Sequence, residues 1–92
     1  MIFQNHPNPF NPETRIPYYI RSEANITIYQ TDGTVANQIY LGIREPGLYV
    51  TPDDAAFWNA RNADGDLLPS GIYCYRLEAN KGNQVKQMVL LK

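Results

Sequence analysis

Apolar and polar residues alternate along much of this chain with the two-residue period of β-strands. The clearest segment covers residues 72–80. One face of this segment carries Tyr73, Tyr75, Leu77 and Ala79, and the other carries Cys74, Arg76 and Glu78. No long window shows apolar residues at the i, i+3, i+4, i+7 spacing of an amphipathic helix. The pattern therefore predicts an all-β protein.

Six further strands are predicted at residues 14–20, 25–30, 35–43, 48–50, 55–58 and 84–91. Pro17 interrupts the first of them and predicts an edge strand, because proline cannot donate to a ladder. Asp32-Gly33 predicts a hairpin between the second and third of these strands. The strand at 84–91 has apolar residues on both faces, so its inward face cannot be assigned from the pattern. About seven short strands separated by turns predict an antiparallel β-sandwich.

A proline-rich segment precedes the first predicted strand. It consists of Pro7, Asn8, Pro9, Phe10, Asn11 and Pro12. Such a segment is a disordered tail, a ligand for a proline-binding partner, or a structured entrance to the domain. We favour the structured entrance, because a strand pattern starts directly after it. In that interpretation Phe10 plugs the open end of the sandwich, and the two asparagines bond local backbone groups.

Composition narrows the class of protein. The 92 residues fit one domain, and 43% hydrophobic against 18% charged residues is unlike a disordered chain. A net charge of −1 and the lack of a basic patch argue against nucleic-acid partners. No apolar run reaches the roughly 20 residues of a membrane span. The single Cys74 excludes an internal disulfide framework.

Residues that could support catalysis are few. His6 is the sole histidine and lies in a predicted loop. A nucleophilic site would require it to meet Ser22, Ser70 or Cys74 in space, and nothing in the sequence indicates that it does. We expect Cys74 to be an unreactive thiol. The sequence therefore predicts a protein that is not an enzyme.

Asn62, Asp64 and Asp66 place oxygen ligands at alternate positions around a glycine, as at the start of a calcium loop. An EF-hand also needs a Glu at its twelfth position, and counting from Asn62 places Tyr73 there. A polar turn between strands explains the same residues. We therefore expect no cofactor, with calcium at these three residues as the alternative.

The tyrosines offer one more candidate site. Tyr19, Tyr29, Tyr40 and Tyr49 could form a stacking platform for a carbohydrate, although partly buried sheet positions explain such residues equally well. Trp58, which follows Phe57 in a short predicted strand, is expected in the core.

The ordered motifs resemble one family along nearly the whole chain. They are a PNPFNP opening, an I-Y-x-x-x-G hairpin, a W-x₆-G turn, an S-G-I-Y-x-Y-R-L strand and a K-x-x-V-L-L-K-like end. They fall at residues 7–12, 28–33, 58–65, 70–77 and 86–92. This arrangement resembles the C-terminal sorting domain of type IX secretion cargo, and it is similar to the immunoglobulin-like domain of flagellar hook-capping proteins.

The resemblance implies a seven-stranded immunoglobulin-like sandwich. It implies that residues 1–92 form the C-terminal domain of a longer secreted protein, at the surface of a Gram-negative bacterium or outside it, reached through the periplasm. The implied role is non-catalytic sorting or attachment, with the outer-membrane secretion machinery and the parent protein's other domains as partners. The alternative is an accessory immunoglobulin-like spacer of a secreted hydrolase or adhesin, or a module of such a protein that binds carbohydrate or protein. We expect a monomer. The residues expected to meet the partner are Lys86, Met88, Val89, Leu90, Leu91 and Lys92.

Overall fold

The computed structural model describes residues 1–21, 23–42, 44–79 and 82–92. Eight β-strands follow one another along these residues. They are β1 (Thr14–Ile16), β2 (Tyr18–Ile20), β3 (Ala24–Gln30), β4 (Val35–Gly42), β5 (Gly47–Tyr49), β6 (Ala56–Trp58), β7 (Gly71–Ala79) and β8 (Gly82–Leu90). The all-β prediction is confirmed, with eight strands where about seven were expected.

Two layers make up an immunoglobulin-like β-sandwich. One layer is a four-stranded antiparallel sheet in the order β4-β3-β7-β8. The other is formed by the antiparallel pairs β1-β6 and β2-β5. Residues 1–6 run beside β1 and β2 through bridges of Ile2 with Tyr18 and of His6 with Arg15. We call β1, β2, β5, β6 and residues 1–6 the ribbon layer.

Pro17 divides the predicted strand at residues 14–20. The two halves pair with different partners, β1 with β6 and β2 with β5, because proline has no N–H to continue a ladder. The sequence predicted that Pro17 lies in an edge strand. Residues 1–6 cover this edge, since the Phe3 N–H donates to the Pro17 carbonyl at 3.0 Å. Ile16, Tyr18 and Ile20 still share one buried face, as the alternation predicted.

The Asp32-Gly33 hairpin joins β3 to β4. Gly33 has a φ of 90°, a left-handed conformation that costs glycine little. The Asp32 carboxylate accepts hydrogen bonds from the backbone N–H and the hydroxyl of Thr34, at 2.9 and 2.7 Å. These bonds lower the pKa of Asp32 below its usual value. The sequence prediction of this turn is confirmed.

The core lies between the two layers. Tyr73, Tyr75 and Leu77 of β7 are buried, as their alternation predicted. β8 pairs with β7 along its whole length, and Met88 stands opposite Tyr73. Met88 and Leu90 are therefore the inward residues of β8 and are fully buried. This pairing settles the face that the sequence left open.

Candidate functional site

The proline-rich segment is bonded to the last strand. The Phe10 N–H donates to the Val89 carbonyl, and the Leu91 N–H donates to the Phe10 carbonyl, both at 3.0 Å. The Asn8 side-chain oxygen accepts from the Val89 N–H at 2.9 Å. Asn8 therefore bonds a strand 81 residues away and not its local backbone, which corrects the sequence interpretation. The segment closes the edge of β8 at its C-terminal end.

Phe10 lies in the core with 2% of its surface exposed. Its ring centroid is 5.9 Å from that of Trp58, and Trp58 meets Tyr73 edge to face at 5.6 Å. Trp58 also donates its indole N–H to the Arg61 carbonyl at 3.0 Å. Three aromatic side chains thus connect the N-terminal segment to β6 and β7, which agrees with a plug at the end of the sandwich.

A buried polar network supports the same segment. Asn5 donates its backbone N–H to the Tyr75 hydroxyl at 2.9 Å, and that hydroxyl donates to the Phe3 carbonyl at 2.8 Å. The Asn5 side chain donates to Thr14 Oγ1 at 3.0 Å and to the Pro7 carbonyl at 3.2 Å. Burial raises the pKa of Tyr75 to about 12. Sequence reasoning missed this network, because Asn5 and Thr14 look like surface residues in the pattern.

The six residues expected to meet a partner differ in how far their side chains are buried. Met88 and Leu90 are in the core. Lys86 and Val89 are half-buried, and Leu91 and Lys92 are exposed. The Lys92 N–H donates to Ser70 Oγ at 2.9 Å. Four of the six side chains are therefore accessible, and the other two hold the strand in place.

Outward residues of β8 and β7 form a continuous surface, which we call the β8 outer face. Its residues are Val85, Gln87, Val89, Leu91 and Ile72. Val89 stands directly opposite Ile72 in the ladder, and Val85 stands opposite Arg76. Val85 and Leu91 are each 55% exposed. This face presents apolar side chains beside polar ones at the end of the sheet.

The turn with the calcium candidates is held by its own hydrogen bonds. The Asn62 side-chain oxygen accepts from the backbone N–H groups of Asp64 and Asp66, at 3.0 and 2.9 Å. Asn62 and Asp66 also bond through their backbones at 3.0 Å. Both aspartates are exposed. Among the described residues, no three His, Cys, Asp or Glu side chains are grouped to hold a metal ion. The expectation of no metal here, with calcium at these three residues as the alternative, stays a prediction.

The four candidate tyrosines lie on different surfaces. Tyr29 and Tyr40 face outward from the four-stranded sheet, and Tyr19 faces outward from the ribbon layer. Tyr49 stacks on buried Tyr18 with ring centroids 4.9 Å apart. The guanidinium of Arg76 lies 5.0 Å from the Tyr29 ring. The structure does not bring the four rings into one platform.

The residues considered for catalysis also lie apart. His6 is in the ribbon layer and exchanges two backbone hydrogen bonds with Arg15, at 2.9 and 3.0 Å. Cys74 is half-buried in the four-stranded sheet, opposite Gln87. Ser70 is engaged with the backbone of Lys92. Ser22 lies outside the described residues.

Comparisons with known proteins bear on the fold. No protein-family model and no curated protein matches this chain. In the part of the chain that the structure describes, no helix has the length and apolar character needed to cross a membrane. The fold is similar to that of PorZ from Porphyromonas gingivalis, with a TM-score of 0.66 and 20% sequence identity. PorZ is described as an essential bacterial surface component of the type IX secretion system. The similarity covers 97% of this chain and 11% of the PorZ chain, so it concerns one domain-sized part of a larger protein.

Proposed function

We propose that this chain is a non-catalytic sorting or attachment domain of a larger exported protein, recognised by the type IX secretion machinery of a Gram-negative bacterium. The observation that carries the proposal is the whole-chain similarity in fold to part of PorZ, a surface component of that system. The sequence motifs that resemble type IX sorting domains support the same route. The domain would act at the cell surface or outside the cell, after passage through the periplasm.

The β8 outer face is the surface we assign to recognition. Apolar side chains exposed together on a small domain indicate an interaction site. Val85 and Leu91 are the most exposed apolar members of this face. A partner that adds a strand would need free backbone groups at the β8 edge, but those of Val89 and Leu91 are bonded to Asn8 and Phe10. Recognition at this end would therefore occur through side chains.

Deletion of residues 88–92 would not test this assignment. It would remove Met88 and Leu90 from the core, so a failure of export would follow from unfolding alone. Substitutions on the outer face avoid this problem, because exposed residues contribute little to stability. Val85→Asp and Leu91→Asp suit the purpose, and Val35→Asp is the matched control. Val35 is 53% exposed on the outward side of β4, at the opposite edge of the same sheet.

The experiment fuses residues 1–92 to a periplasmic reporter in a host with a type IX system. The two β8 variants should lower the secreted fraction by about tenfold, which corresponds to about 1.4 kcal/mol of binding. The control should be exported like the unaltered domain, and all variants should keep their melting temperature. If both β8 variants are exported normally, recognition lies elsewhere. If the unaltered domain is not exported, the type IX assignment is wrong.

The proposal includes no catalytic step. His6, Cys74 and Ser70 lie in three different parts of the described structure. A reaction would need a nucleophile and a base within hydrogen-bond reach of each other. An accessory spacer or binding module remains the second candidate function. It is favoured by the apolar outer side of the ribbon layer, where Leu48 and Phe57 are exposed.

A further inference from the structure

The outer edge of β8 is bonded along only part of its length. Val89 directs its N–H and C=O away from β7, since these groups bond Asn8 and Phe10. Residues of a strand direct their backbone groups to alternate sides, and the pairing of β8 with β7 is continuous. The backbone groups of Val85 and Gln87 therefore face the same outer edge as those of Val89.

This outer edge is open beside Val85. The Gln4 side-chain amide donates to the Gln87 carbonyl at 2.8 Å. The N–H and C=O of Val85 and the N–H of Gln87 have no hydrogen-bond partner among the residues that the structure describes. We call these three backbone groups the Val85 edge. Val85 is 55% exposed, so a partner can reach this edge, and a free edge is a template for another strand.

A groove lies beside the Val85 edge. It has a volume of about 500 Å³ and lies between residues 1–4 of the ribbon layer and residues 84–86 of β8. The Gln84 side-chain oxygen accepts from the Ile2 N–H at 2.7 Å and so joins the two sides. The groove is therefore built into the folded domain, and its volume is in the range of known ligand sites.

An extended peptide is the ligand that this edge suits. A strand that adds to a sheet edge bonds its backbone groups, and side-chain sites beside the edge provide specificity. In antiparallel pairing, one peptide residue would bond both groups of Val85, and the peptide residue two positions away would accept from the Gln87 N–H. Phe10 already uses the next stretch of the same edge, where it bonds Val89 and Leu91 through its own backbone.

Lys86 decides the charge of the peptide. It is half-buried, and it is the charged side chain among the described residues that line the groove. A carboxylate of the peptide would pair with the Lys86 ammonium group, whereas a lysine of the peptide would be repelled. The site therefore favours a peptide with an aspartate or a glutamate among its paired residues.

Lys86 also disfavours a second copy of this chain as the occupant. If two β8 strands paired antiparallel at this edge, Val85 of one copy would stand opposite Val85 or Gln87 of the other. The two Lys86 side chains would then lie diagonally or directly opposite each other on one side of the sheet, where like charges repel. Charges on an edge strand are a common protection against such self-pairing. An acidic peptide from another protein does not meet this repulsion.

We propose that the Val85 edge binds an extended acidic peptide of another protein. The peptide adds to the four-stranded sheet as a fifth strand beside β8, and one of its carboxylates pairs with Lys86. This site goes beyond the proposed sorting role, because it uses backbone groups of β8 and the groove. The sorting role is assigned to the outward side chains of the strand.

Peptide binding to the purified 92-residue protein tests the proposal. The probe is a blocked six-residue peptide of alternating valine and threonine with one glutamate at its centre, and the control peptide has lysine in place of the glutamate. At ten times the dissociation constant of the probe, amide hydrogen exchange at Val85 and Gln87 should slow by about tenfold. Exchange at Val89 should not change, because its N–H is already bonded to Asn8. The control peptide should bind at least about fivefold more weakly than the probe.

Two variants at one position test the role of the backbone donor. Val85→Pro removes an N–H that faces the outer edge, so the pairing with β7 is retained, as at other edge-strand prolines. It should weaken binding of the probe by at least about fivefold, the usual value of one hydrogen bond. Val85→Ala keeps the N–H and should weaken binding by less than about twofold. Equal affinities of the two variants would overturn the proposal.

Charge reversal tests the role of Lys86. Lys86→Glu should invert the preference, so that the lysine peptide binds about fivefold more tightly than the glutamate peptide. Three results with the unaltered protein would overturn the proposal: equal binding of the two peptides, slowed exchange away from Val85 and Gln87, or no binding at millimolar peptide. A dimer that Val85→Pro dissolves would instead assign the edge to a second copy. No export step is involved, so a failure here and a failure of the sorting role can be told apart.

Discussion

Phe10→Ala is the sharpest test of how the proline-rich segment contributes to this fold. The substitution removes a ring that is 98% buried, as its exposed fraction of 2% shows. It leaves in place the two backbone hydrogen bonds of residue 10 to β8, since these involve only N–H and C=O. The loss of stability therefore measures how much the Phe10 side chain contributes by packing against Trp58 and its neighbours. It does not measure the backbone pairing of the segment with β8.

The expected magnitude follows from two estimates. Replacing a buried Phe by Ala typically costs about 3–5 kcal/mol. A Phe side chain buries roughly 150–200 Å² of apolar surface, which at about 25 cal/mol per Å² gives a similar figure. A domain of this size has about 5–14 kcal/mol of unfolding free energy in total. We therefore expect a loss of about 4 kcal/mol and a fall in melting temperature of roughly 15–30 °C.

Urea denaturation followed by Trp58 fluorescence measures this loss. Phe57→Ala is the matched control: it removes the same side chain from a position that is 41% exposed, outside the buried core, where the Arg15 guanidinium lies over the ring. The control should cost about 1 kcal/mol or less. If Phe10→Ala costs no more than the control, Phe10 does not hold the end of the sandwich, and the segment is again a candidate ligand for a proline-binding partner.

Two further predictions concern hydrogen bonds of the same segment. Asn8→Ala should lower the free energy of unfolding by about 0.5–1.5 kcal/mol, because the Val89 N–H loses its acceptor. The control Asn11→Ala, at an exposed position, should change the free energy of unfolding by less than about 0.5 kcal/mol. Equal effects of the two substitutions would contradict the bond between Asn8 and Val89. Burial raises the pKa of Tyr75 in the folded protein from 10.0 to about 12. As the pH rises above 10, Tyr75 therefore ionises first in the unfolded chain. The stability that the neutral Tyr75 contributes is fully present below pH 10 and is lost as the pH rises towards 12. Chemical denaturation at pH 8 to 11 should therefore show a smaller decline for Tyr75→Phe than for the unaltered protein, and identical slopes would refute the burial argument.

Local patterns predicted the parts of the fold that depend on neighbouring residues. The alternation in β7 gave the buried positions of Tyr73, Tyr75 and Leu77, and the Asp32-Gly33 hairpin followed from turn chemistry. These features need only the period of a strand or the dihedral freedom of one glycine.

Contacts between distant parts of the chain could not be predicted in the same way. The division at Pro17 depends on the separate partners of β1 and β2, which come from later segments. The inward face of β8 depends on its register with β7, because apolar residues occupy both of its faces. Asn8 has a local role in the sequence interpretation, yet its partner is Val89 in the last strand. Pairing across 80 residues leaves no periodic signal in either segment.

The two ends of the chain are joined in a way that bears on recognition. Phe10 and Asn8 bond the backbone of Val89 and Leu91, while Met88 and Leu90 anchor the same strand in the core. The C-terminal end of β8 is therefore held from two sides, by its ladder with β7 and by the first ten residues. A receptor that reads the outward side chains of β8 would distinguish the folded domain from an unfolded or truncated chain. Under the sorting proposal, removing residues 1–10 should abolish export as removing the last strand does, because each deletion takes apolar side chains out of the core and unfolds the domain, and a folded β8 outer face is what the receptor reads.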